Sequence, residues 1–404
     1  MENEKMKGLL KGYRILDFTR VLSGPFCTRM LCDLGAEVIK VESGGGDSMR
    51  KYPPFKGGFS SNFAQWNSGK KGIGINLRHP KGLELVKKLV AVSDVVTENF
   101  RPGIFSKMGL GYPVLKEINP RIILCSISGF GQSGCEVKRL AYTDNIQAYS
   151  GMDYMLGKMM GKDVDPPGYP YSFADSYASL NAAVAILAAL LNRNATGEGQ
   201  AIDISMLDSV LAANDSTLQK FIFTDGQADD AGPAFRPPLR MKDGHMAAAL
   251  AMEFERVLKA IGRVDLLEQR RFKVVEERHK PENFGEYYQM VKDWAKKTTV
   301  EEAARLFEKY DIPYAKVHSV AEIVNSQVVR ERNMLVDVDF NRHLAVKVVN
   351  TPFKFSNTPT GPRSRPPHWG EHNKEVLGGL LKLSDKEIEA MTQEGILVQH
   401  ETEV

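Results

Sequence analysis

The sequence predicts an α/β protein with a parallel sheet in a large domain and a second, smaller domain. Strand-like and helix-like segments alternate through the first half of the chain, as they do in proteins built on a parallel sheet. A stretch rich in Gly, Asp and Pro then interrupts the pattern from about residue 225 to 240, which indicates a linker or an exposed loop. The chain has 404 residues, 43% of them hydrophobic and 25% charged, enough to bury one large core or two linked cores.

The first three elements form a βαβ unit. Residues 13–18 have a strand pattern, residues 25–34 a helical pattern, and residues 36–42 a second strand pattern. Pro25 stands at the first helical position and Gly35 just past the last one, which is the usual placement of these two residue types. Because a helix joins the two strands, we expect them to be parallel.

The alternation continues to residue 205. We expect a helix over residues 80–92, strands over 94–97 and 121–128, a long helix over 173–192, and a strand over 201–205. Helical spacing in the long helix predicts a buried apolar stripe made of Leu180, Ala183, Leu187, Leu190 and Leu191.

The second half of the chain is richer in charged helical patterns. Residues 254–261 and 300–310 are examples, and they predict a smaller domain within residues 225–315. Strand-like stretches return at 336–340 and 344–349, and a last helix begins near Asp385. The chain contains no internal repeat.

Charge and hydropathy exclude several classes of partner. The formal net charge is +3, and the basic residues are interspersed along the chain rather than clustered, so we expect no nucleic-acid partner. Residues 1–7 are polar, and the longest apolar run, residues 182–191, is too short to cross a bilayer. We therefore predict a cytoplasmic protein without a membrane partner.

No metal site is expected. Four cysteines lie in or beside apolar segments without a C-x-x-C pairing, which predicts reduced, buried thiols: Cys27, Cys32, Cys125 and Cys135. His368 and His372 have H-x-x-x-H spacing, but Pro366 and Pro367 disfavour the helix that would bring both side chains to one metal ion.

Two turns resemble phosphate-binding turns only in part. Residues 129–134 match G-x-G-x-x-G after a strand, yet residues 135–142 show no amphipathic helix, so we expect a flexible turn and not a dinucleotide site. The turn at residues 22–25 has one glycine, which leaves little room for a pyrophosphate. The helix that follows it can still favour a negatively charged ligand at its N-terminus.

Asp175 has two interpretations at this point. It lies at the start of the long helix, and Ser172 stands three residues earlier, which is the spacing of a capping box with a structural role. The surrounding aromatic and apolar residues of segment 169–174 would instead desolvate the carboxylate and make it more nucleophilic.

Several segments together resemble the family III coenzyme A transferases, which include the formyl-CoA:oxalate and carnitine CoA-transferases. The similar segments keep the family's order and spacing over nearly the whole chain, and they are residues 15–25, 34–42, 67–80, 98–103, 128–131, 147–151, 174–175, 186–209 and 370–377. The resemblance implies a CoA-transferase that uses acyl-CoA thioesters as substrates and needs no permanently bound cofactor. It also implies that Asp175 is the nucleophile, which forms an aspartyl anhydride and then an aspartyl-CoA thioester.

The resemblance further implies where the substrates bind. Arg78 and Lys107 would meet the CoA phosphates, Asn99 and Phe100 the pantetheine or adenine end. The other implied CoA contacts are Val21, Leu22, Ser23, Ile75 and Met108. The carboxylic acid would lie beside Tyr142, Asp144, Tyr169 and Tyr171.

The implied architecture is a Rossmann-like large domain with a parallel sheet plus a smaller α+β domain, in an interlocked homodimer. The large domain would be built from both ends of the chain, residues 1–224 and 316–404, with the linker and small domain at 225–315. Two departures affect the substrates: Ser43 stands where the formyl-CoA enzyme has arginine, and Leu22 replaces a glutamine. Oxalate and formate are therefore not the expected acids, and the donor and acceptor acids stay open.

Two other functions are compatible with parts of the sequence: an α-methylacyl-CoA racemase and a non-catalytic CoA-binding protein. The α-methylacyl-CoA racemases share this architecture and use a histidine and an aspartate, but the histidine's position is Tyr142 here. A phenol, with an ordinary pKa of about 10, is a poor base at neutral pH. A non-catalytic CoA-binding protein is the third possibility, for which loss of the aspartate would be the sign, and Asp175 is present.

Overall fold

The computed structural model describes residues 8–160, 164–214, 217–227, 236–341 and 344–399. The polar N-terminal segment 1–7 and residues 228–235 of the predicted linker lie outside the described residues. The strands are β1 (Arg14–Asp17), β2 (Glu37–Glu42), β3 (Phe55–Lys56), β4 (Phe59–Ser60), β5 (Lys71–Gly74), β6 (Val95–Glu98), β7 (Ile123–Ser128), β8 (Ala201–Ser205), β9 (Leu239–Arg240), β10 (His245–Ala248), β11 (Tyr314–Lys316), β12 (Leu335–Asn341) and β13 (Leu344–Val349).

The six predicted helices are present with small differences at their ends, and the structure contains further helices that the sequence patterns did not indicate. They are α1 (Ser23–Asp33), α2 (Ser61–Asn67), α3 (Pro80–Ala91), α4 (Ile104–Lys107), α5 (Tyr112–Ile118), α6 (Thr143–Tyr149), α7 (Met152–Met160), α8 (Phe173–Thr196), α9 (Met206–Ala213), α10 (Thr217–Phe223), α11 (Phe254–Ala260), α12 (Arg270–Lys273), α13 (Val275–Arg278), α14 (Pro281–Ala295), α15 (Val300–Lys309), α16 (Val320–Val324), α17 (Gln327–Glu331), α18 (Asn373–Leu381) and α19 (Asp385–Gln393). Helix α1 begins two residues before the predicted Pro25, and α8 ends at Thr196, where Gly197 takes a left-handed conformation.

Six strands form one parallel sheet in the order β5-β2-β1-β6-β7-β8. The prediction of an α/β protein with a parallel sheet is therefore confirmed. The chain moves outward from β1 through β2 to β5, and then crosses back to β6, on the other side of β1. The order reverses between β1 and β6, and in open α/β sheets ligands bind beyond the carboxyl ends of the strands at this reversal.

The two faces of the sheet carry separate hydrophobic cores. Ile15 of β1 belongs to the core that also contains residues of α1 and α8, whereas Leu16 belongs to the core that contains residues of α3 and α5. Successive side chains of a strand point to opposite faces, so one strand supplies both cores. With helices on both faces, the sheet is covered as parallel sheets normally are.

Helix α8 is held to this core by small residues. Ala174, Ala178 and Ala182 are fully buried, and the helix packs against α1. The predicted stripe is correct for Ala183 and Leu190, which are buried, but wrong for two leucines. Leu180 is 42% exposed and Leu191 72% exposed, because the face of α8 that carries the buried alanines is turned toward the core and these two leucines lie on the opposite side.

Helix α8 is also long and apolar enough to cross a membrane by length and composition alone, the one such helix in the described part of the chain. Its buried alanines belong to the core on one face of the sheet. We therefore interpret α8 as a core helix of the α/β domain.

The described residues divide into two compact units. The first contains residues 8–150, 169–213 and 328–399, and so includes the parallel sheet and the antiparallel pair β12-β13. The second contains the described parts of 151–168 and 214–327. Its core gathers apolar residues of α11, α14 and α15 beside the three-stranded antiparallel sheet β11-β10-β9.

Three of the four predicted buried thiols are buried, namely Cys27, Cys32 and Cys125, and all four cysteines are free. Cys135 is exposed, so that prediction was wrong for this residue. It lies in the irregular segment between β7 and α6, where no helix or strand packs its side chain into the core.

Candidate functional site

A cavity of about 600 Å³ opens at the carboxyl edge of the parallel sheet, within the first unit. Segments that follow β1, β6 and β7 line it, together with the start of α8 and Met206 at the start of α9. Its position is the reversal of strand order between β1 and β6, where ligands are expected in this type of sheet.

Asp175 lines this cavity from the first turn of α8. The predicted capping box with Ser172 does not form, because the Ser172 side chain makes no capping hydrogen bond. The N–H of Phe173 instead donates to the side-chain oxygen of the buried Gln147, at 2.9 Å. The structural interpretation of Asp175 thus loses the contact on which it depended.

The N-terminus of α1 supports the Asp175 carboxylate. Burial raises the pKa of Asp175 to about 6, while hydrogen bonds from the Ser23 hydroxyl and the Ser23 backbone N–H oppose that rise. The negative charge of Asp144 raises the pKa slightly further. The N-terminus of α1, which can favour a negatively charged ligand, here donates hydrogen bonds to the side-chain carboxylate of Asp175.

Further hydrogen bonds fix the relative position of α1 and α8. The Ser179 hydroxyl bridges the Ser23 carbonyl oxygen and the Asp175 carbonyl oxygen, 2.7 Å from each. The Asn99 side chain accepts from the Arg20 N–H at 2.9 Å and donates to the Arg20 carbonyl oxygen at 2.8 Å. It also lies 3.4 Å from the Ser23 hydroxyl, so residues from β6 and β1 share one network with the start of α8.

The turn between β1 and α1 is strained and tightly packed. Val21 has φ of 69°, which is costly for a β-branched residue and is found mostly at functional sites. Its N–H donates to Asp47 at 3.3 Å. A side chain on Gly24 would approach the Thr19 side chain to 2.2 Å, so the single glycine of this turn allows close packing against Thr19.

A buried ion network lies beneath this turn. The Lys70 ammonium donates to the Asp17 carboxylate at 2.9 Å and to the Pro25 carbonyl oxygen at 3.0 Å, and both charged side chains are fully buried. Lys40 donates to the Thr19 carbonyl oxygen at 2.8 Å. Burial alone would raise the pKa of Asp17, but the Lys70 and Lys40 ammonium groups hold that pKa well below its usual range.

A buried acid at the end of β6, Glu98, fixes the turn that follows this strand. Glu98 accepts a hydrogen bond from the Phe100 N–H at 2.8 Å, and burial raises the pKa of Glu98 to about 7. This bond holds the turn in which Asn99 and Phe100 reach the cavity.

The cavity brings together some of the predicted CoA contacts and leaves others outside its lining. Val21, Ser23, Asn99 and Phe100 line it. The other predicted contacts are Leu22, which is half-buried, Ile75, whose side chain is fully buried, Arg78 and Lys107, which are exposed, and Met108, which packs against the core. Ser43, one of the two departures, accepts a hydrogen bond from the Leu77 N–H at 3.0 Å.

The residues predicted for the acid pocket are also divided. Tyr142 lines the cavity and is 72% exposed, and Asp144 lies exposed in the first turn of α6. Tyr169 and Tyr171 do not line it; their rings contact each other at 5.9 Å, and Tyr169 also contacts Phe173 at 5.8 Å. These two tyrosines therefore pack together immediately before the start of α8.

The glycine-rich turn after β7 has no free phosphate cradle. The Gln132 N–H donates to the Asp203 carboxylate at 2.9 Å, and no helix begins before Thr143. The expected absence of a helix at residues 135–142 is confirmed, while the absence of a dinucleotide site at 129–134 stays a prediction. Among the described residues, no group of three or more His, Cys, Asp or Glu is arranged to hold a metal ion.

Sequence reasoning missed three arginines that line the cavity: Arg20, Arg101 and Arg139. Arg20 and Arg101 stand beside residues that had been selected, in the segments that follow β1 and β6. Arg139 lies in a segment without a regular pattern, and no sequence signal pointed to it.

Comparison with known proteins agrees with this geometry. The family model of CoA-transferase family III matches residues 10–373. A succinyl-CoA:glutarate CoA-transferase of Mus musculus is 33% identical over 97% of this chain and 91% of its own. The beta subunit of the succinyl-CoA–L-malate CoA-transferase of Chloroflexus aurantiacus is 30% identical over 96% and 98%.

A solved structure gives the same result. The crystal structure of a CAIB/BAIF family protein from Brucella suis superposes with a TM-score of 0.79 at 30% identity, over 93% of this chain and 100% of that chain. The resemblance noted in the sequence is thus confirmed over the length of the chain. The protein belongs to family III of the CoA-transferases, and it is an enzyme that transfers CoA between an acyl-CoA and a carboxylic acid.

Proposed function

We propose that Asp175 carries the acyl group and then the CoA thiol covalently during transfer. The observation that carries this proposal is a half-buried carboxylate, with its pKa raised to about 6, at the wall of the cavity beyond the sheet's strand reversal. Such a group is ionised at neutral pH, yet it is poorly solvated and therefore a better nucleophile than a carboxylate in water.

The first half of the reaction transfers CoA to the enzyme. A carboxylate oxygen of Asp175 attacks the donor thioester carbonyl, the C–S bond breaks, and a mixed anhydride and free CoA thiolate form. The thiolate then attacks the carbonyl carbon of the acylated Asp175 side chain. The anhydride C–O bond breaks, the donor carboxylate leaves, and an aspartyl-CoA thioester remains.

The second half reverses these steps with the acceptor acid. The acceptor carboxylate attacks the aspartyl thioester and releases the thiolate, and the thiolate attacks the acceptor carbonyl of the new anhydride. The new acyl-CoA leaves and the Asp175 carboxylate is regenerated. One thioester replaces another, so the sequence balances without ATP, a metal ion or an oxidant, and it requires that water be excluded from both activated intermediates.

In this proposal CoA lies along the segments that follow β1, β5 and β6. Val21, Leu22, Ser23, Asn99 and Phe100 would flank the pantetheine, and Phe100 offers an aromatic face. Arg78 and Lys107, both exposed, would meet the phosphates, with Met108 beside them. Ile75 would support this surface from beneath, since its side chain is fully buried.

The donor we propose is succinyl-CoA. The relatives from Mus musculus and Chloroflexus aurantiacus described above are both named for succinyl-CoA, and their acceptors are glutarate and L-malate. The acceptor would occupy the side of the cavity formed by Tyr142, with Asp144, Tyr169 and Tyr171 behind it.

The alternatives have less support. A racemase of this architecture needs a histidine base, and no histidine is among the described residues that line the cavity. A CoA-binding protein without turnover needs no carboxylate with a raised pKa at the cavity wall. Neither alternative accounts for Asp175 as well as covalent transfer does.

An interlocked homodimer and a cytoplasmic location also belong to the proposal. The outward stripe of α8 presents Leu180, Val184 and Leu191 to solvent in the single chain, and a second copy that covers it would bury this apolar surface. Sedimentation equilibrium should give twice the mass of one chain. A mass that corresponds to one chain at micromolar concentration would reject the dimer.

The rate of transfer should depend on the ionisation of Asp175. Because only the carboxylate can attack, kcat/KM should rise with pH through an apparent pKa of about 6 and then level off. The Ser23→Ala variant lacks a hydrogen bond that stabilises the carboxylate, so its midpoint should lie at higher pH. A profile that is flat between pH 5 and 8, or an unchanged midpoint in this variant, would contradict the assignment.

The decisive experiment traps the intermediate. The enzyme is mixed with an acyl-CoA and hydroxylamine, digested, and analysed by mass spectrometry for an aspartyl hydroxamate. We expect the modification at Asp175 and only when the acyl-CoA is present. An unmodified Asp175 during measurable turnover would overturn the covalent mechanism.

A further inference from the structure

The charges around the cavity are strongly unbalanced. Among the described residues that line it, Asp175 is the only carboxylate, while the three cations are Arg20, Arg101 and Arg139. In the proposed function, acylation neutralises the negative charge of Asp175 in each cycle. A ligand with more negative charge than the reacting carboxylate alone therefore fits this cavity.

The three arginines belong to different segments of the cavity wall. Arg20 and Arg101 belong to the segments after β1 and β6, which the proposed function assigns to CoA, and the Arg20 guanidinium lies 5.6 Å from the centre of the Phe100 ring. Arg139 stands three residues before Tyr142, on the segment assigned to the acid. Arg139 is thus the cation placed to meet the acid rather than CoA.

Aromatic rings hold Arg139 in place. Its guanidinium carbon lies 5.0 Å from the centre of the Tyr149 ring and 5.7 Å from that of Phe130, and these two rings contact each other edge to face at 5.2 Å. Cation–π contacts of this kind position a guanidinium without using its N–H donors. The donors remain available for a carboxylate, which arginine binds in a two-point geometry.

The acidic partner of Arg139 in the structure is a weak competitor. Glu136 lies 3.5 Å away on the same turn, and both side chains are substantially exposed. Exposed pairs of this kind contribute little free energy. A ligand carboxylate can therefore replace Glu136, or join it, at small cost.

From this arrangement we infer that Arg139 binds the second carboxylate of a dicarboxylic acid while the first carboxylate reacts at Asp175. Arg139 is then the residue that selects dicarboxylates over monocarboxylates. The inference rests on the proposed function, because it needs the acid to react at Asp175. It goes further by assigning the acid's distal charge to one side chain.

The test compares acids of equal chain length with one or two carboxylates. Transfer from succinyl-CoA to glutarate and to pentanoate is measured in the wild type and in Arg139→Gln, and the ratio of the two kcat/KM values is the readout. We expect the wild type to prefer glutarate and the ratio to fall by about tenfold or more in Arg139→Gln, since a charge-assisted hydrogen bond to the acceptor is lost. Arg139→Lys, which keeps the charge, should restore part of the ratio.

Two matched variants separate recognition from a general structural role. Arg101→Gln should lower kcat/KM for both acceptors alike, because Arg101 lies on the CoA side. Glu136→Gln removes the partner of Arg139 but leaves the cation, so the glutarate preference should persist or increase. A fall in the ratio for Glu136→Gln as large as that for Arg139→Gln would overturn the inference.

Two further outcomes would also overturn it: a wild type that does not prefer glutarate, or an Arg139→Gln variant in which both acceptors lose activity equally. Hydroxylamine trapping, run on the same preparations, keeps this test distinct from that of the proposed function. A trapped Asp175 with no dicarboxylate preference rejects only the role of Arg139, whereas an untrapped Asp175 during turnover rejects the covalent mechanism.

Discussion

Replacing Asp175 by alanine is expected to lower the rate of CoA transfer by at least about 10⁴-fold, because it removes the proposed covalent nucleophile and leaves only binding and positioning. Thioester exchange between a labelled acid and its acyl-CoA measures the loss. The hydroxamate of the trapping experiment should disappear with it. Transfer within tenfold of the wild-type rate would remove Asp175 from the mechanism.

The variant should fold normally, and its stability gives a second readout. Since burial raises the pKa of Asp175 to about 6 in the folded chain, the folded state holds its proton more tightly than the unfolded state does. This group therefore makes the free energy of unfolding fall as pH rises from about 4 to about 6. Asp175→Ala should lack that contribution and be at least as stable as the wild type at pH 8.

Asp208→Ala is the matched control for this experiment. Asp208 also lies in the first turn of a helix, α9, but it is exposed and does not line the cavity. Its replacement should leave the transfer rate close to that of the wild type. A similar loss in both variants would mean that the effect comes from helix termini in general.

Replacing Lys70 by methionine is expected to give the largest loss of stability. The Lys70 ammonium donates to Asp17 and to Asn67, each at 2.9 Å, and the Lys70 and Asp17 side chains are fully buried. Without the Lys70 cation, the buried Asp17 carboxylate loses its ion-pair partner and keeps only the charge of Lys40 nearby, and removal of one partner of a buried pair costs about 3–5 kcal/mol. Denaturant unfolding at pH 7 should show this decrease in the free energy of unfolding.

Lys71→Met is the control, because Lys71 is the next residue but its pairs with Glu37 and Glu375 are partly exposed. Its replacement should cost about 1 kcal/mol or less. The double variant Asp17→Asn, Lys70→Met removes both charges and should recover part of the loss. Equal losses of unfolding free energy in the two lysine variants would show that the buried ion pair stabilises the protein no more than the partly exposed pairs do.

Much of the fold was predictable from local patterns. The βαβ unit could be recognised because Pro25 and Gly35 mark the ends of a helix between two apolar strands, and the structure confirms the parallel pairing of those strands. The strand order was not predictable from these patterns, because hydrophobic periodicity does not indicate which strands become neighbours. The position of the cavity could be inferred only once that strand order was known.

The errors have a common physical cause. The leucines of α8 fit helical periodicity, but alanines allow closer packing, so the alanine face is inside and Leu180 and Leu191 are exposed. The spacing of Ser172 and Asp175 fits a capping box, but Gln147, distant in sequence, takes the first amide of α8. In both cases a tertiary contact replaced the local preference.

The candidate site shows the same limit. Asp175 was selected through the resemblance, because its local pattern alone favoured a cap. The support it receives from Ser23 depends on α1 and α8 meeting in space. Arg139 was missed because an isolated arginine in an irregular segment becomes meaningful only when its neighbours across the cavity are known.

The alanine face of α8 has a consequence for how this enzyme can change. Ala174, Ala178 and Ala182 are fully buried where α8 meets the core, so a larger side chain at any of them is expected to displace the first turn of α8 and, with it, the Asp175 carboxylate, the proposed nucleophile. The position of the Asp175 carboxylate is thus fixed by the packing of the core. The segment that carries Arg139 and Tyr142 is open to solvent; if it binds the acid, as proposed, a new preference among acids can arise there by substitutions that leave the core and Asp175 unchanged.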